Sequence, residues 1–413
     1  MIVVDTIVIG AGPAGLFTAI QASSKNQKII VLEKNPTAGK KLLITGAGQC
    51  NLTQEGKIKE FLDHYGDNYR FLRQALYKFS NENLLLFFKE RGIDFVSTEK
   101  GKIFPSSYKA KDILNVLLNE CKKKGIEIKL SESVKEVKVS EKKKNEDHRF
   151  YIKSSKEEYK SKYLVIATGG KSYPTTGSSG DGYSFAKSLG HKIIEPQPAL
   201  APLYIKDYSF TDLSGISLSN SNISLWRDKS LIKRWTGDIL FTHKGISGPG
   251  ILNYSRYILA NDIIKIKLIN SENKSNLDQK ILKMINSNGK VLFKNLIKDL
   301  PLPQRLLEKL LELANISDDT KASQLSKEQR KKLINLLFEL TLEVKKLGEY
   351  NQAMVTKGGV NLKELNPKTM ESRIVNNLFA VGEVLDIDGD TGGYNLQAAF
   401  STGYLAGKSI REK

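Results

Sequence analysis

The chain has only two cysteines, Cys50 and Cys121, in 413 residues. That excludes a disulfide-stapled scaffold and fits a reducing compartment, so a cytoplasmic protein is expected. Histidine is also sparse, with four residues. His64, His148 and His191 share no ligand spacing with each other or with a cysteine pair, and no metal site is expected. No apolar run approaches the roughly 18 residues that a membrane span needs. The N-terminal stretch Val3 to Ile9 is interrupted by Asp5 and has no basic leader, so it reads as a strand rather than a secretion signal, and no membrane partner is expected.

Positive charge is the bulk property in excess. The chain carries 64 Lys and Arg against 45 Asp and Glu, a formal net charge of +19. Such an imbalance favours polyanionic partners, nucleic acid before anionic membrane surface. Lysines that replace other polar residues on solvated faces would give the same total. The clusters Lys122 to Lys124 and Lys142 to Lys144 are interspersed with acids, and there is no arginine-rich tail. Charge alone leaves both readings open.

The most specific local signal opens the chain. In Asp5-Thr6-Ile7-Val8-Ile9-Gly10-Ala11-Gly12-Pro13-Ala14-Gly15 an apolar strand runs into Gly-x-Gly-x-x-Gly. A helix is expected over Leu16 to Ser24, and Glu33 closes the next apolar run, Ile29 to Leu32. This is the pattern of a dinucleotide-binding βαβ unit: Gly10 allows the tight turn, Gly12 lets backbone approach a pyrophosphate, and Gly15 lets helix and strand pack closely. Glu33 is then placed to accept hydrogen bonds from an adenosine ribose. No second such glycine pattern follows, so a dedicated nicotinamide domain is not expected, and NADH or NADPH would visit as a transient reductant.

Two later segments agree. Tyr163 to Ile166, followed by Ala167-Thr168-Gly169-Gly170, reads as a buried strand whose small residues let the chain pass close beneath a cofactor. Near the end, Asn377 to Val381 reads as a strand delivering Gly382, Glu383 and Asp386, after which Gly392 and Gly393 open a helix. The free N–H groups of that helix would favour an anionic reduced flavin.

Between these landmarks, strand and helix patterns alternate up to Gly190. Helical periodicity covers Tyr69 to Arg91, and a second helix runs from Lys111 to Lys124 and stops at Gly125. Strands are expected at Glu127 to Leu130, Val134 to Val139 and Phe150 to Lys153, with Glu141 to Arg149 as a hairpin loop. Ile205 to Ile269 shows the short alternating runs of a small β domain. Leu277 to Leu347 reads as helical, with Ser326 and Gln329 forming a capping box.

Further segments are Gly39-Lys40-Lys41-Leu42-Leu43-Ile44-Thr45-Gly46-Ala47-Gly48-Gln49-Cys50-Asn51, Gly237 to His243, Gly245 to Pro249, Val355 to Val360 and Thr369 to Ser372. With them, the whole chain resembles the BaiN/RdsA-like family of bacterial flavoproteins. Gln49 stands where that family usually carries arginine, and Ala47 replaces a glycine. The resemblance implies an α/β fold: a two-dinucleotide-type, Rossmann-like FAD domain over residues 1–194 and 351–413, an inserted small β-barrel-like domain at 195–270, and a helical insertion at 271–350. It implies FAD as cofactor and addition of hydride and proton across an activated C=C bond. In some members the substrate is a uridine of large-subunit ribosomal RNA, giving a dihydrouridine-type product; in others it is a conjugated bile-acid-like steroid. Net charge favours RNA, because each phosphate contact gains from counterion release. A non-catalytic, FAD-holding ribosome-associated scaffold is a third reading.

The expected cofactor shell comprises Gly10, Gly12, Ala14, Gly15, Glu33, Lys34, Lys40, Lys41, Gly48, Asn51, Val134, Ala167, Thr168, Gly169, Gly382, Glu383, Asp386, Gly392, Gly393, Asn395 and Leu396. Lys40 and Lys41 would neutralise a pyrophosphate, bind an anionic substrate, or stay solvated. Cys50 lies in the glycine-rich loop expected to border the flavin ring, as a general acid or as a small buried filler. His243 would contact substrate or flavin, or serve as a satisfied structural histidine. Cys121, on an amphipathic helix, is expected in the core.

Overall fold

Runs of aliphatic residues too short for helices build the main sheet. Its strands are β1 (Ile2–Ile9), β2 (Ile29–Leu32), β3 (Glu127–Lys129), β4 (Val134–Val139), β5 (Phe150–Ser154), β6 (Glu158–Ile166) and β7 (Leu378–Ala380). Here the chain is represented by a computed structural model that describes residues 1–25, 27–139, 149–269 and 272–413. The sheet order is β3-β2-β1-β6-β5-β4, with β7 also on β6. β1, β2, β3, β6 and β7 pair in parallel, whereas β4, β5 and β6 form an antiparallel meander. β6 serves both: Glu158 to Ser161 pair with β5, and Leu164 to Ile166 pair with β7. All four residues of β2 and the last four of β1 are buried, as a parallel strand covered on both faces requires.

The helix after the glycine turn is α1 (Pro13–Ala22), with proline in its first turn, where no N–H is needed. It packs against the last helix, α2 (Tyr394–Arg411), through glycines. A Cβ on Gly403 would lie 2.8 Å from the Ala14 carbonyl oxygen, and one on Gly407 would lie 2.5 Å from both Gln21 Cβ and the Thr18 carbonyl oxygen. Backbone therefore meets backbone along this pair.

The long helix expected over Tyr69 to Arg91 is two helices, Tyr69–Lys78 and Asn81–Lys89. Ser80 breaks it: its hydroxyl accepts from the Asn83 N–H at 3.2 Å, and the Asn83 side chain accepts from the Ser80 N–H at 3.0 Å. A reciprocal cap of this kind outcompetes a helix-interior serine. The next helix spans Ala110–Lys123, with Cys121 fully buried on it and Gly125 in the left-handed region. The expected loop lies outside the described residues from Glu141 to His148, including Lys142 to Lys144.

Met1–Ala199 and Glu349–Lys413 make one unit, and Leu200–Gly348 makes a second. The second holds a closed six-stranded antiparallel barrel in the order Leu203–Ile205, Gly245–Ser247, Ser230–Phe241, Ser217–Arg227, Ile263–Lys267, Leu340–Leu347. Its last strand corrects the helical reading of Leu277 to Leu347. Leu340, Leu342 and Val344 are buried at alternate positions, the period of a strand, so the helices from Lys274–Ser287 to Lys327–Phe338 are inserted between two barrel strands. The capping box is present: Ser326 and Gln329 exchange N–H to side-chain bonds, both at 3.1 Å.

Because α1 and α2 touch through backbone, Gly407→Val should cost about 1–3 kcal/mol of stability by overpacking. Chemical denaturation followed by circular dichroism measures it, and an unchanged midpoint would show that the two helices tolerate separation.

Candidate cofactor site

β1, β2 and β6 are parallel and end at Ile9, Leu32 and Ile166, so the residues that follow each lie along one sheet edge. Gly10–Gly15, Glu33 and Ala167–Gly169 are thereby brought together. The glycines of the first turn are needed for different reasons. Gly10 has φ +108°, and a Cβ there would lie 2.5 Å from the Ala167 carbonyl oxygen; a Cβ on Gly15 would lie 2.0 Å from the Gly10 carbonyl oxygen. The protein itself excludes side chains at both. Gly12 has φ −80°, which any residue adopts, and no atom beyond its own chain neighbours lies within 4 Å of an added Cβ. Nothing in the polypeptide requires glycine there. The gap it leaves adjoins the unsatisfied N–H groups at the start of α1, which suits the pyrophosphate of a dinucleotide.

Glu33 is buried at the end of β2. Its Oε2 accepts from the Ala11 N–H at 2.9 Å, and its Oε1 accepts from the Asn35 backbone and side-chain amides at 2.9 and 2.7 Å. The carboxylate is held rigidly while Oε2 retains a lone pair for a ribose hydroxyl. Lys34 is committed to Asp181 at 2.6 Å. Burial pushes Asp181 up, but the Lys34 and Ser179 hydrogen bonds outweigh it and leave the carboxyl below its ordinary range. Val134 begins β4 and is buried.

Lys41 is likewise committed. Its Nζ lies 2.6 Å from Glu383 Oε2 and donates to Ser172 Oγ at 2.5 Å. Glu383 Oε1 also accepts from the Ser172 hydroxyl at 2.8 Å and the Thr356 N–H at 3.0 Å, and Thr356 Oγ1 accepts from the Lys171 and Ser172 N–H groups at 2.8 and 3.1 Å. Ser172 and Thr356 were not singled out in the sequence; their signals are positions just after Gly169-Gly170 and within Val355 to Val360. Lys40 is half-buried at the start of the short helix Lys40–Ile44. Burial raises the Asp386 carboxyl above its ordinary range.

Beyond that helix the chain turns tightly, with Gly46, Ala47, Gly48 and Cys50 all at positive φ. Ala47 takes a conformation that glycine adopts at lower cost. Cys50 is 0% exposed, and burial pushes its thiol up to about 12. The next residue reaches α2: the Asn51 amide accepts from the Gly393 N–H at 3.2 Å and donates to the Thr53 carbonyl at 3.0 Å. Gly392 and Gly393 both have positive φ, and a Cβ on Gly393 would lie 2.6 Å from Thr53 Cα. Asn395 clamps the preceding loop, accepting from the Gly389 N–H at 2.8 Å and donating to the Gly389 carbonyl at 2.9 Å. Leu396 is half-buried on α2. His243 belongs to the second unit, exposed in the turn between Ser230–Phe241 and Gly245–Ser247. Among the described residues, no cluster of three or more His, Cys, Asp or Glu could hold a metal, and no helix is long and apolar enough to cross a membrane.

The chain is similar to known proteins along its length. Residues 4–409 match the family described as HI0933-like protein Rossmann domain. The chain is 33% identical over 409 residues to a ribosomal RNA dihydrouridine synthase of Haemophilus influenzae, covering 98% of each protein. It is 31% identical over 419 residues to a 3-dehydro-bile acid delta(4,6)-reductase of Clostridium scindens, again covering 98% of each. In fold it is similar to a 3-ketosteroid-delta4-(5alpha)-dehydrogenase from Rhodococcus jostii, with a TM-score of 0.53, 13% identity, and 100% of this chain and 97% of that one covered. With its glycine turn, its held acid and a match along nearly its whole length, the chain belongs to the HI0933-like family of Rossmann-type flavoprotein oxidoreductases.

Proposed function

We propose that the protein is an FAD-dependent reductase that adds hydride and a proton across an activated C=C bond, and that its substrate is a uridine of large-subunit ribosomal RNA. The glycine turn carries the cofactor assignment: Gly10 and Gly15 are crowded against backbone while Gly12, at the start of α1, faces open space. In this reading the Gly10–Gly15 turn and the start of α1 hold the pyrophosphate, Glu33 the adenosine ribose, and the first N–H groups of α2 the flavin ring. Bound FAD supplies two-electron chemistry, recharged by NADH or NADPH. The residues of the chain do the rest. Glu383, held by Lys41, Ser172 and Thr356, presents a pre-arranged polar wall to the ligand. Asn51 and Thr53 hold Gly393 so that the α2 N-terminus keeps its aim.

The relatives named for RNA and for bile acid match at 33% and 31% identity, so similarity does not choose between their substrates. The charge of +19 favours RNA. A steroid carboxylate is neutralised by one or two cations, whereas each phosphate met releases counterions. Cys50 takes the role of buried filler, since its thiol has no exposed surface from which to reach a substrate.

Three outcomes are expected. Denaturing the purified protein should release FAD, and Gly12→Leu should fold yet retain none; recovery of FMN or of no flavin would overturn the cofactor reading. Deleting the gene should remove a dihydrouridine-type nucleoside from large-subunit ribosomal RNA, read by nucleoside mass spectrometry. Purified protein should restore it, with binding that weakens steeply as salt rises. RNA unchanged by the deletion, with a steroid enone reduced instead, would favour the small-molecule substrate. Cys50→Ala should keep product formation and lose only about 1 kcal/mol or more of packing; loss of product with normal FAD content would make the thiol the acid.

A further inference from the structure

A second acid and an imidazole stand beside the α2 N-terminus, unused in the reading above. His64 Nδ1 lies 3.0 Å from Asp390 Oδ2, and the Asp390 N–H donates to the His64 carbonyl at 2.9 Å. The imidazole lies flat on the Tyr394 ring, with centroids 4.1 Å apart and planes 16° from parallel. Tyr394 is braced in turn: Phe61 meets its ring edge-on at 5.2 Å, and its carbonyl accepts from the buried Tyr65 hydroxyl at 2.9 Å. Asn395 holds the other side of the loop through Gly389 and the Asp390 carbonyl.

These contacts leave the ring one orientation. Nδ1 faces the carboxylate, which selects the tautomer with its proton there. Nε2 has no hydrogen-bond partner among the described residues. The His64 side chain is 39% exposed while that of Asp390 is 19% exposed, so the pair opens to solvent from the imidazole side. A histidine needed only for packing would have both nitrogens satisfied or be free to rotate. Two contacts hold this ring, the Asp390 carboxylate at Nδ1 and the face of Tyr394, and the rest of it stays partly exposed. Asp390 and Gly393 are three residues apart in one loop, and Gly393 is the residue fixed by Asn51, so the imidazole stands at the end of α2 to which the flavin ring is assigned.

We infer that His64 is the proton donor of the reduction and Asp390 its positioning residue, an inference that rests on the proposed C=C reductase activity. The balance is simple. Hydride from the reduced flavin, itself recharged by a nicotinamide, forms a C–H bond at one carbon of the double bond. The displaced electron pair passes to the other carbon, which takes the proton from Nε2 of protonated His64. The imidazole is left neutral with Nδ1–H on Asp390, and water returns the proton. Cys50, wholly buried, offers no such route.

The test uses flavin-loaded enzyme, NADPH and ribosomal RNA purified from the deletion strain. His64→Ala should keep its FAD and its rate of flavin reduction by NADPH, yet form product roughly 100- to 10,000-fold more slowly. Added imidazole should restore part of that loss. Asp390→Asn should lose less and gain nothing from imidazole. Independently of turnover, nitrogen-15 NMR of the apoprotein should show His64 in the Nδ1-protonated tautomer, and Asp390→Asn should remove that preference. Full turnover by His64→Ala, or a slow variant that imidazole does not rescue, would overturn the assignment. So would the opposite tautomer. Wild-type enzyme that reduces no RNA would instead defeat the proposed RNA substrate, and the tautomer measured on the apoprotein would then decide for or against His64.

Discussion

The site depends on how closely α1 approaches the end of β1. A Cβ on Gly15 would lie 2.0 Å from the Gly10 carbonyl oxygen, and one on Gly10 would lie 2.5 Å from the Ala167 carbonyl oxygen. Three pieces of backbone therefore occupy a space that admits no side chain. This crowding directs the N-terminus of α1 at the gap over Gly12 and keeps the β6 turn beneath it. α2 is pressed onto α1 by the same device at Gly403 and Gly407, which links the two ends of the chain within the first unit. Small residues set the geometry here, and aliphatic burial in the parallel strands holds it.

Charge at the site is arranged for rigidity before binding. Lys34 and Lys41 are spent on Asp181 and Glu383, so neither is a free counter-charge. A pre-paired cation loses less freedom when a ligand arrives, and its partner carboxylate remains an acceptor for hydroxyl groups. In the proposed reading, anion binding then falls mainly to backbone N–H groups at the helix ends, which need no reorganisation.

What could be read from the sequence was what is local. The strand, glycine turn, helix, second strand and Glu33 are contiguous; Gly10 and Gly15 have a steric reason that the spacing displays, while Gly12 faces open space. The β6 and α2 glycines were legible for the same cause. The unread parts were set by competition or by distance. Ser80 ended a helix whose apolar periodicity continued through it, because a reciprocal cap with Asn83 was available. The barrel strand Leu340–Leu347 follows directly on a helix, and its period of two was masked by leucines that suit either element. The Lys41–Glu383 and His64–Asp390 pairs join positions more than three hundred residues apart, and no local pattern carries such a partner. Cys50 sat in the expected loop, but only the fold shows that its thiol is sealed.

In the proposed reaction, electrons held by a flavin in this fold end on a pyrimidine ring. Anaerobic single turnover tests it directly: enzyme with fully reduced flavin is mixed with ribosomal RNA from the deletion strain, and flavin reoxidation is followed while nucleosides are quantified. Equal molar amounts of flavin reoxidised and dihydrouridine-type nucleoside formed are expected. Flavin that stays reduced in the presence of that RNA, or that reoxidises without a matching reduced nucleoside, would contradict it.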